Sequence, residues 1–260
     1  MAMTEPKDLL ASELYIKAVF PVLKVLLKDD PKTAKRFEDV DAHIVIRAKY
    51  NEGYLGANLH FKKGELGINE EELTAGDIIF TFPSVKKMNS FLAGGIALPS
   101  IKGFANIKLL VSFISMLLML KLMMPDARPK DEHKRYLKVK LALYMVSTAL
   151  SKLNKSGDPD MNEWTGRQPD RIYQLSVDGT DIAVYLRVKA GKTKAGRGMY
   201  TRKRPFVHMK FNGIDGALKV LLKDAEFVEA VDNKYISIEG SPEYAANIND
   251  FMMRIQSLTT

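Results

Sequence analysis

One arrangement of predicted elements occurs twice along this 260-residue chain. In residues 77–124 an alternating strand is followed by a helix, a short strand that ends at Gly103, and a long apolar helix. Residues 206–258 contain the same order, with Gly240 at the end of the second short strand. Self-similarity of this length indicates an internal duplication, so we predict two related domains.

The two copies align at two positions. Phe82 corresponds to Phe211 at an offset of 129 residues, and Gly103 corresponds to Gly240 at an offset of 137. Eight more residues therefore separate the helix from the glycine in the second copy.

The segments that precede these elements also match. In the first copy, residues 9–28 predict an amphipathic helix that Pro21 kinks or divides. Two alternating runs, 43–50 and 54–61, flank a turn and predict a β-hairpin. A third run, 65–69, precedes the next strand, so we predict an antiparallel meander.

The second copy begins with a helix predicted over residues 131–153, followed by a polar link over 154–171 and a second hairpin over 172–188. Two prolines within residues 125–130 mark the boundary between the copies. We predict domains at 1–126 and 127–260, each long enough to bury its own core.

These residues resemble the sterol carrier protein 2 family, whose domains have an aspartate-led strand, a helix that ends at a glycine, a strand that ends at a glycine and an apolar C-terminal helix. The resemblance applies to both copies and covers most of the chain. It implies a tandem α+β fold, with a five-stranded, mainly antiparallel sheet covered by helices in each copy. It also implies an apolar tunnel between sheet and helices that holds a fatty acyl chain, acyl-CoA, phospholipid or sterol, and it implies no reaction.

The tunnel-lining residues that follow from the resemblance are aromatic and aliphatic side chains on the strands and helices of each copy. In the first copy they are Phe82, Phe91, Leu92, Phe104, Val111, Ile114 and Leu118. In the second copy they are Phe211, Leu218, Leu221, Tyr244, Phe251 and Ile255.

The helix predicted over residues 104–124 is apolar nearly all round. It has no charge between Lys108 and Lys121, yet this run is shorter than the roughly 20 apolar residues of a membrane span. Such a helix has to be covered on every side, so we predict a groove beside it for an apolar ligand. The alternative is a scaffold or accessory subunit that docks a protein partner, or a second copy of the chain, through this helix.

The formal net charge is +8, and residues 187–204 contain eight basic residues and no acidic residue. Their three glycines indicate a mobile loop, for which we predict contact with an anionic membrane surface. The contact residues are Lys192, Lys194, Arg197, Arg202, Lys203 and Arg204. Two alternatives stay open, a solvated hairpin tip and a nucleic-acid-binding module, although the loop lacks the several aromatic residues of a stacking platform.

The sequence contains no catalytic or metal-binding pattern. Residues 191–193 read Gly-Lys-Thr, but Leu186 stands where a phosphate-binding loop needs its first glycine. The four histidines are scattered, there is no cysteine, and no serine lies in a Gly-x-Ser-x-Gly turn. We therefore expect a protein that is not an enzyme and has no cofactor or metal.

The first residues lack the basic and apolar pattern of a signal peptide. We therefore expect a cytoplasmic protein.

Overall fold

The structure, a computed structural model, describes residues 4–259. The chain divides into two compact units, one of residues up to 121 and from 258 onward, the other of residues 122–257. Each unit contains a five-stranded sheet and five α-helices within the described residues. The predicted α+β fold is therefore confirmed.

The helices of the first unit begin with a segment that changes its helical type twice. A π-helical turn, Tyr15–Val19, and a 3-10 turn, Phe20–Val22, follow the first α-helix. Pro21 has no N–H group for an α-helical hydrogen bond, which explains the break that the sequence predicted. The α-helices are α1 (Pro6–Leu14), α2 (Leu23–Asp29), α3 (Pro31–Phe37), α4 (Val85–Leu92) and α5 (Ile107–Met119), and a 3-10 turn, Leu120–Met123, follows α5.

The first sheet has the strand order β3-β2-β1-β4-β5. Its strands are β1 (Asp41–Tyr50), β2 (Gly53–Lys62), β3 (Glu65–Asn69), β4 (Ile78–Phe82) and β5 (Ser100–Lys102). The predicted meander is correct for β1 to β3, but β4 does not continue it and instead pairs with β1 in parallel. Ile78, Ile79 and Phe80 are all buried, and a strand that is apolar on both faces belongs in the interior of a sheet.

The second unit repeats this topology, with the strand order β10-β9-β6-β7-β8 and a parallel pair of β6 and β9. Its strands are β6 (Arg171–Val177), β7 (Ala183–Lys189), β8 (Lys192–Arg197), β9 (Val207–Phe211) and β10 (Ile236–Gly240). Its helices are α6 (Glu132–Lys155), α7 (Pro159–Gly166), α8 (Gly213–Leu221), α9 (Phe227–Asp232) and α10 (Pro242–Thr259).

Two predictions for the second unit were wrong. The polar link contains α7, which begins where the Asp158 carboxylate accepts a hydrogen bond from Met161 N at 3.0 Å. The basic segment 187–204 is not mainly a loop, because it contains the end of β7 and all of β8. β8 forms an edge strand that pairs with β7 along its length, which holds the basic residues up to Arg197 in an extended conformation.

Helices cover one face of the first sheet. The ring of Phe113 on α5 lies 6.0 Å from that of Phe61 and 5.7 Å from that of Phe80. Phe82 points to the same face as Phe80, since it is two residues further along β4, and its ring lies 5.2 Å from Phe91 on α4. No helix within residues 4–259 is long and apolar enough to cross a membrane.

The two phenylalanines that aligned in the sequence hold the same place in their sheets. Phe82 ends β4 and pairs with Ala48 of β1, and Phe211 ends β9 and pairs with Val177 of β6. The duplication predicted from the sequence is therefore confirmed in the topology of both sheets.

The two aligned glycines share an unusual backbone geometry. Gly103 has a φ of 92° and Gly240 a φ of 102°, values that L side chains rarely adopt. A Cβ on Gly103 would lie 1.9 Å from the carbonyl oxygen of Asp77, and one on Gly240 would lie 2.0 Å from that of Phe206. Both glycines are thus required where the last strand passes close to the start of its neighbour.

This geometry predicts the effect of adding a methyl group at each glycine. Gly179→Ala should cost about 1 kcal/mol, because Gly179 has a φ of 72° but open space around it. Gly240→Ala should cost clearly more, since its Cβ would also displace a backbone carbonyl between β9 and β10. Urea unfolding followed by circular dichroism measures both losses. Equal losses for the two variants would contradict the close approach.

Candidate functional site

The predicted lining residues of the first unit fall into two groups. Phe82 is fully buried, and Phe91 and Leu92 are half-buried at the end of α4. Phe104, Val111 and Leu118 are instead 59%, 60% and 53% exposed. The structure therefore brings Phe82 and Phe91 together where α4 packs on the sheet, and it leaves Phe104, Val111 and Leu118 on the surface.

Helix α5 buries one side and exposes the other. Leu109, Phe113 and Met116 are buried and face the sheet. At about 100° per residue, Val111 and Leu118 lie on the opposite side of the helix. This corrects their expected position between helix and sheet, and their contact with a ligand stays a prediction.

The outer side of α5 forms a continuous apolar row, which we name the α5 stripe. Its members are spaced three or four residues apart, and they are Ile107, Val111, Ile114 and Leu118. Ile107 is 66% exposed and Ile114 is half-buried. The stripe is about 16 Å long at 1.5 Å per residue.

The segment between α4 and β5 adds further exposed apolar side chains to the first unit. Ile96 is 97% exposed and Leu98 is 86% exposed. Ile96, Leu98 and Ile107 were not among the residues predicted from the sequence. Isolated aliphatic residues beside Gly94 and Gly95 could have been noticed, because such a segment has no periodicity that would bury them.

The predicted lining residues of the second unit lie mostly in its core. Phe211, Leu218, Phe251 and Ile255 are buried, whereas Leu221 and Tyr244 are half-buried. α10 therefore differs from α5, because among its described residues Met253 is the only large apolar side chain that is exposed.

An aromatic cluster fills the space where α7 and α10 meet the second sheet. The Trp164 ring lies 5.2 Å from Tyr173 and 5.4 Å from Phe251, and the Tyr244 ring lies 5.2 Å from Phe206. Trp164 Nε1 also donates a hydrogen bond to Asn247 Oδ1 at 2.8 Å. Of these rings only Tyr244 and Phe251 were predicted, since Trp164 lies in the predicted polar link and Tyr173 in a predicted hairpin strand.

A cation covers one side of this cluster. The Arg171 guanidinium lies 4.0 Å from the Phe206 ring centre and 4.5 Å from that of Tyr244. Such cation–π contacts stabilise the cluster by roughly 0.5–1 kcal/mol each. Burial raises the pKa of Tyr173, so this phenol stays protonated at neutral pH.

Two open hollows border the cluster. One of about 290 Å³ lies beside Trp164 and Tyr244, among charged side chains such as Glu163 and Arg167. The other, of about 530 Å³, lies beside Phe206 and His208. Burial and the neighbouring Lys210 lower the pKa of His208, whose Nε2 lies 2.8 Å from the Ser176 hydroxyl. Polar groups line much of both hollows, so neither is an apolar tunnel.

The predicted basic contact residues do not all lie on one face. Thr193 is buried, and its hydroxyl lies within hydrogen-bond distance of two acceptors on α6, 3.1 Å from Ser151 O and 2.9 Å from Asn154 Oδ1. Because side chains alternate along a strand, Lys192 and Lys194 point away from α6. Arg197 lies on the α6 side, with its guanidinium 4.6 Å from the Tyr144 ring centre.

The remaining basic residues of this segment lie after β8, and one of them is paired. Lys203 lies 3.3 Å from the Asp170 carboxylate, which also binds the Arg187 guanidinium at 2.7 and 2.8 Å. The Arg187 hydrogen bonds lower the pKa of Asp170 to about 2, with a smaller contribution from Lys203. Arg202 and Arg204 are exposed.

No group of three or more His, Asp or Glu residues within the described part of the chain could hold a metal ion. No protein-family model matches the sequence, and no curated protein matches it.

Several solved structures do match. Palmitated SCP2L2 from Aedes aegypti is 16% identical with a TM-score of 0.31, over 41% of this chain and 90% of that one. The sterol carrier protein domain 2 of Helicoverpa armigera is 15% identical with a TM-score of 0.32, over 50% of this chain and 99% of that one. The UbiJ-SCP2 ubiquinone synthesis protein is 10% identical with a TM-score of 0.31, over 44% of this chain and 93% of that one.

The predicted fold is thus confirmed in its two sheets, which have equivalent strand orders and equivalent glycines. The chain is an α+β protein with two copies of one five-stranded sheet topology, and about half of it is similar to solved structures of sterol carrier protein 2 domains.

Proposed function

We propose that this protein is a non-catalytic lipid carrier in which the α5 stripe contacts the acyl chain or the apolar body of a fatty acid, acyl-CoA, phospholipid or sterol-like ligand. The observation that carries the proposal is the exposure of Ile107, Val111 and Leu118 on a helix whose other side is already buried. Contiguous apolar surface on a soluble domain marks a place where a ligand or partner binds.

The energy available at the stripe suits an apolar chain. Full burial of a Val, Leu or Ile side chain contributes about 1.5–3 kcal/mol, so each half-exposed member offers on the order of 1 kcal/mol. The stripe follows the helix axis, and an extended chain lying along it would contact its members in turn. Lys108 and Lys121 are exposed near the two ends of α5, where an ammonium group can attract a carboxylate or phosphate headgroup.

A protein partner, or a second copy of this chain, is the second candidate for the same surface. The stripe lies opposite the buried side of α5, so it points outward as does the apolar face of a helix that enters a partner's groove. Native mass spectrometry of the freshly purified protein separates the two candidates. A bound lipid mass on a monomer supports the carrier, whereas a lipid-free dimer supports docking.

The stripe can be tested with two acidic substitutions. Val111→Glu combined with Leu118→Glu should weaken binding of a fluorescent fatty acid by about tenfold or more, because two charges would replace apolar contacts. Both side chains are exposed, so the melting temperature should change little. Val228→Glu is a matched control on α9, where Val228 is 71% exposed. Equal binding by the double variant and the control would contradict a ligand on α5.

The fluorescence of the single tryptophan can be used to test which unit binds the ligand. Trp164 lies in the aromatic cluster of the second unit, so its emission should stay unchanged when palmitate is added. A Val111→Trp substitution in a Trp164→Phe background should instead shift its emission to the blue, because the ligand would cover the indole. The opposite pattern would place the ligand in the second unit.

A further inference from the structure

The duplication places two β-hairpins at equivalent positions with the same turn. Lys63 and Gly64 connect β2 to β3 with φ values of 49° and 78°. Ala190 and Gly191 connect β7 to β8 with φ values of 46° and 77°. Successive residues with positive φ form the tight turn that matches the twist of antiparallel strands. The two hairpins therefore have the same backbone conformation, and their side chains can be compared position by position.

The charges beside the turn differ between the copies. In the first hairpin Lys62 pairs with Glu65, which places opposite charges across the strands. In the second hairpin Lys189 pairs with Lys192 at the same position. Like charges that lie directly opposite each other on a sheet are destabilising. The second hairpin therefore keeps an arrangement that weakens its own fold.

The next pair on the same face shows the same trend. Arg187 lies opposite Lys194, where the first hairpin has His60 opposite Gly67. Lys203 lies close to Arg187, because both side chains contact the Asp170 carboxylate. These contacts join the end of the hairpin and the segment after β8 into one surface.

The segments after the two hairpins carry opposite charges. Residues 70–77 contain four acidic and no basic residues, whereas residues 198–206 contain three basic and no acidic residues. The copies therefore differ in charge throughout one region while their topology is the same. Fold stability does not require the basic residues of the second copy, since the first copy forms the same sheet without them.

We define the basic hairpin surface as five of the exposed cations of this region, which are Lys189, Lys192, Lys194, Arg202 and Arg204. Among residues 4–259, Lys189, Lys192, Lys194 and Arg202 have no acidic partner. Asp170 already binds Arg187 and Lys203, so it does not neutralise the others.

We propose that the basic hairpin surface docks the second unit on an anionic lipid membrane. Charge complementarity requires an anionic partner, and Met199 favours a membrane over other polyanions. Its side chain is 51% exposed in the segment between Arg197 and Arg202. Basic residues around an exposed apolar side chain are typical of surfaces that bind at the lipid interface.

The aromatic residues nearby do not form a platform for nucleic acid bases. The rings of Tyr185 and Tyr200 lie 4.9 Å apart at 69°, edge to face. Single-strand binding proteins instead present ring faces on which successive bases stack. This docking surface goes beyond lipid binding at α5 and does not depend on it.

Lys192→Glu tests the proposal because it recreates the charge pairing of the first hairpin. The variant should unfold at the same or a higher temperature, since an opposite-charge pair replaces a like-charge pair. It should also bind vesicles of phosphatidylcholine and phosphatidylserine about tenfold more weakly in low salt, because each basic residue near an anionic surface strengthens binding. Lys24→Glu is the matched control, an exposed lysine of α2 that undergoes the same charge change.

Two further variants separate charge from membrane insertion. Asp170→Asn should strengthen vesicle binding several-fold, since it leaves Arg187 and Lys203 without their counter-ion. Met199→Asp should weaken vesicle binding while leaving the melting temperature unchanged. Co-sedimentation measures the vesicle binding of both variants. Fluorescence anisotropy measures binding of single- and double-stranded oligonucleotides under the same conditions.

The proposal is overturned if Lys192→Glu binds the vesicles as well as Lys24→Glu does, or if an oligonucleotide binds more tightly than the vesicles at the same salt concentration. Neither outcome depends on fatty acid binding at α5, which is measured separately.

Discussion

The parallel pairing of a first strand with a fourth is the constraint on which the rest of each unit depends. It places β4 beside β1, and β9 beside β6, in the middle of a sheet whose other pairs are antiparallel. A central strand is buried on both faces, so Phe80 and Phe82 point to the helical face and α4 and α5 pack there. β5 then has to pass close to the start of β4, and only glycine fits at residue 103.

This constraint acts on the backbone and leaves the outer surfaces free to differ. α5 and α10 follow equivalent strands, yet α5 exposes apolar residues where α10 exposes polar ones. The two hairpins share a turn but differ in charge on the face away from the helices. Duplicated copies can diverge most at such positions, since a surface side chain changes fold stability by far less than a buried one.

Local patterns in the sequence were sufficient to predict the elements that depend on the chemistry of single residues. The hairpin at Gly53, the break at Pro21 and the equivalence of Gly103 with Gly240 follow from backbone requirements that are visible in single residues. The parallel pairing of β4 was not predictable in this way, because strand partners far apart in the chain leave no periodic signal. The exposed side of α5 was missed for a related reason, since a helix that is apolar all round has no periodicity to show which side is buried.

The interiors of the two units are packed differently, and this difference favours separate roles for the two units of the chain. In the second unit, Trp164 and Tyr244 occupy the space between helices and sheet together with three other rings, and Arg171 packs against the cluster. A ligand entering there would have to displace aromatic contacts worth about 0.5–1.5 kcal/mol for each pair, in addition to the buried area. In the first unit a ligand can reach the α5 stripe without displacing any buried side chain. For the proposed carrier function, an apolar ligand would therefore gain most at the first unit, while the second keeps a filled core beneath a strongly basic edge.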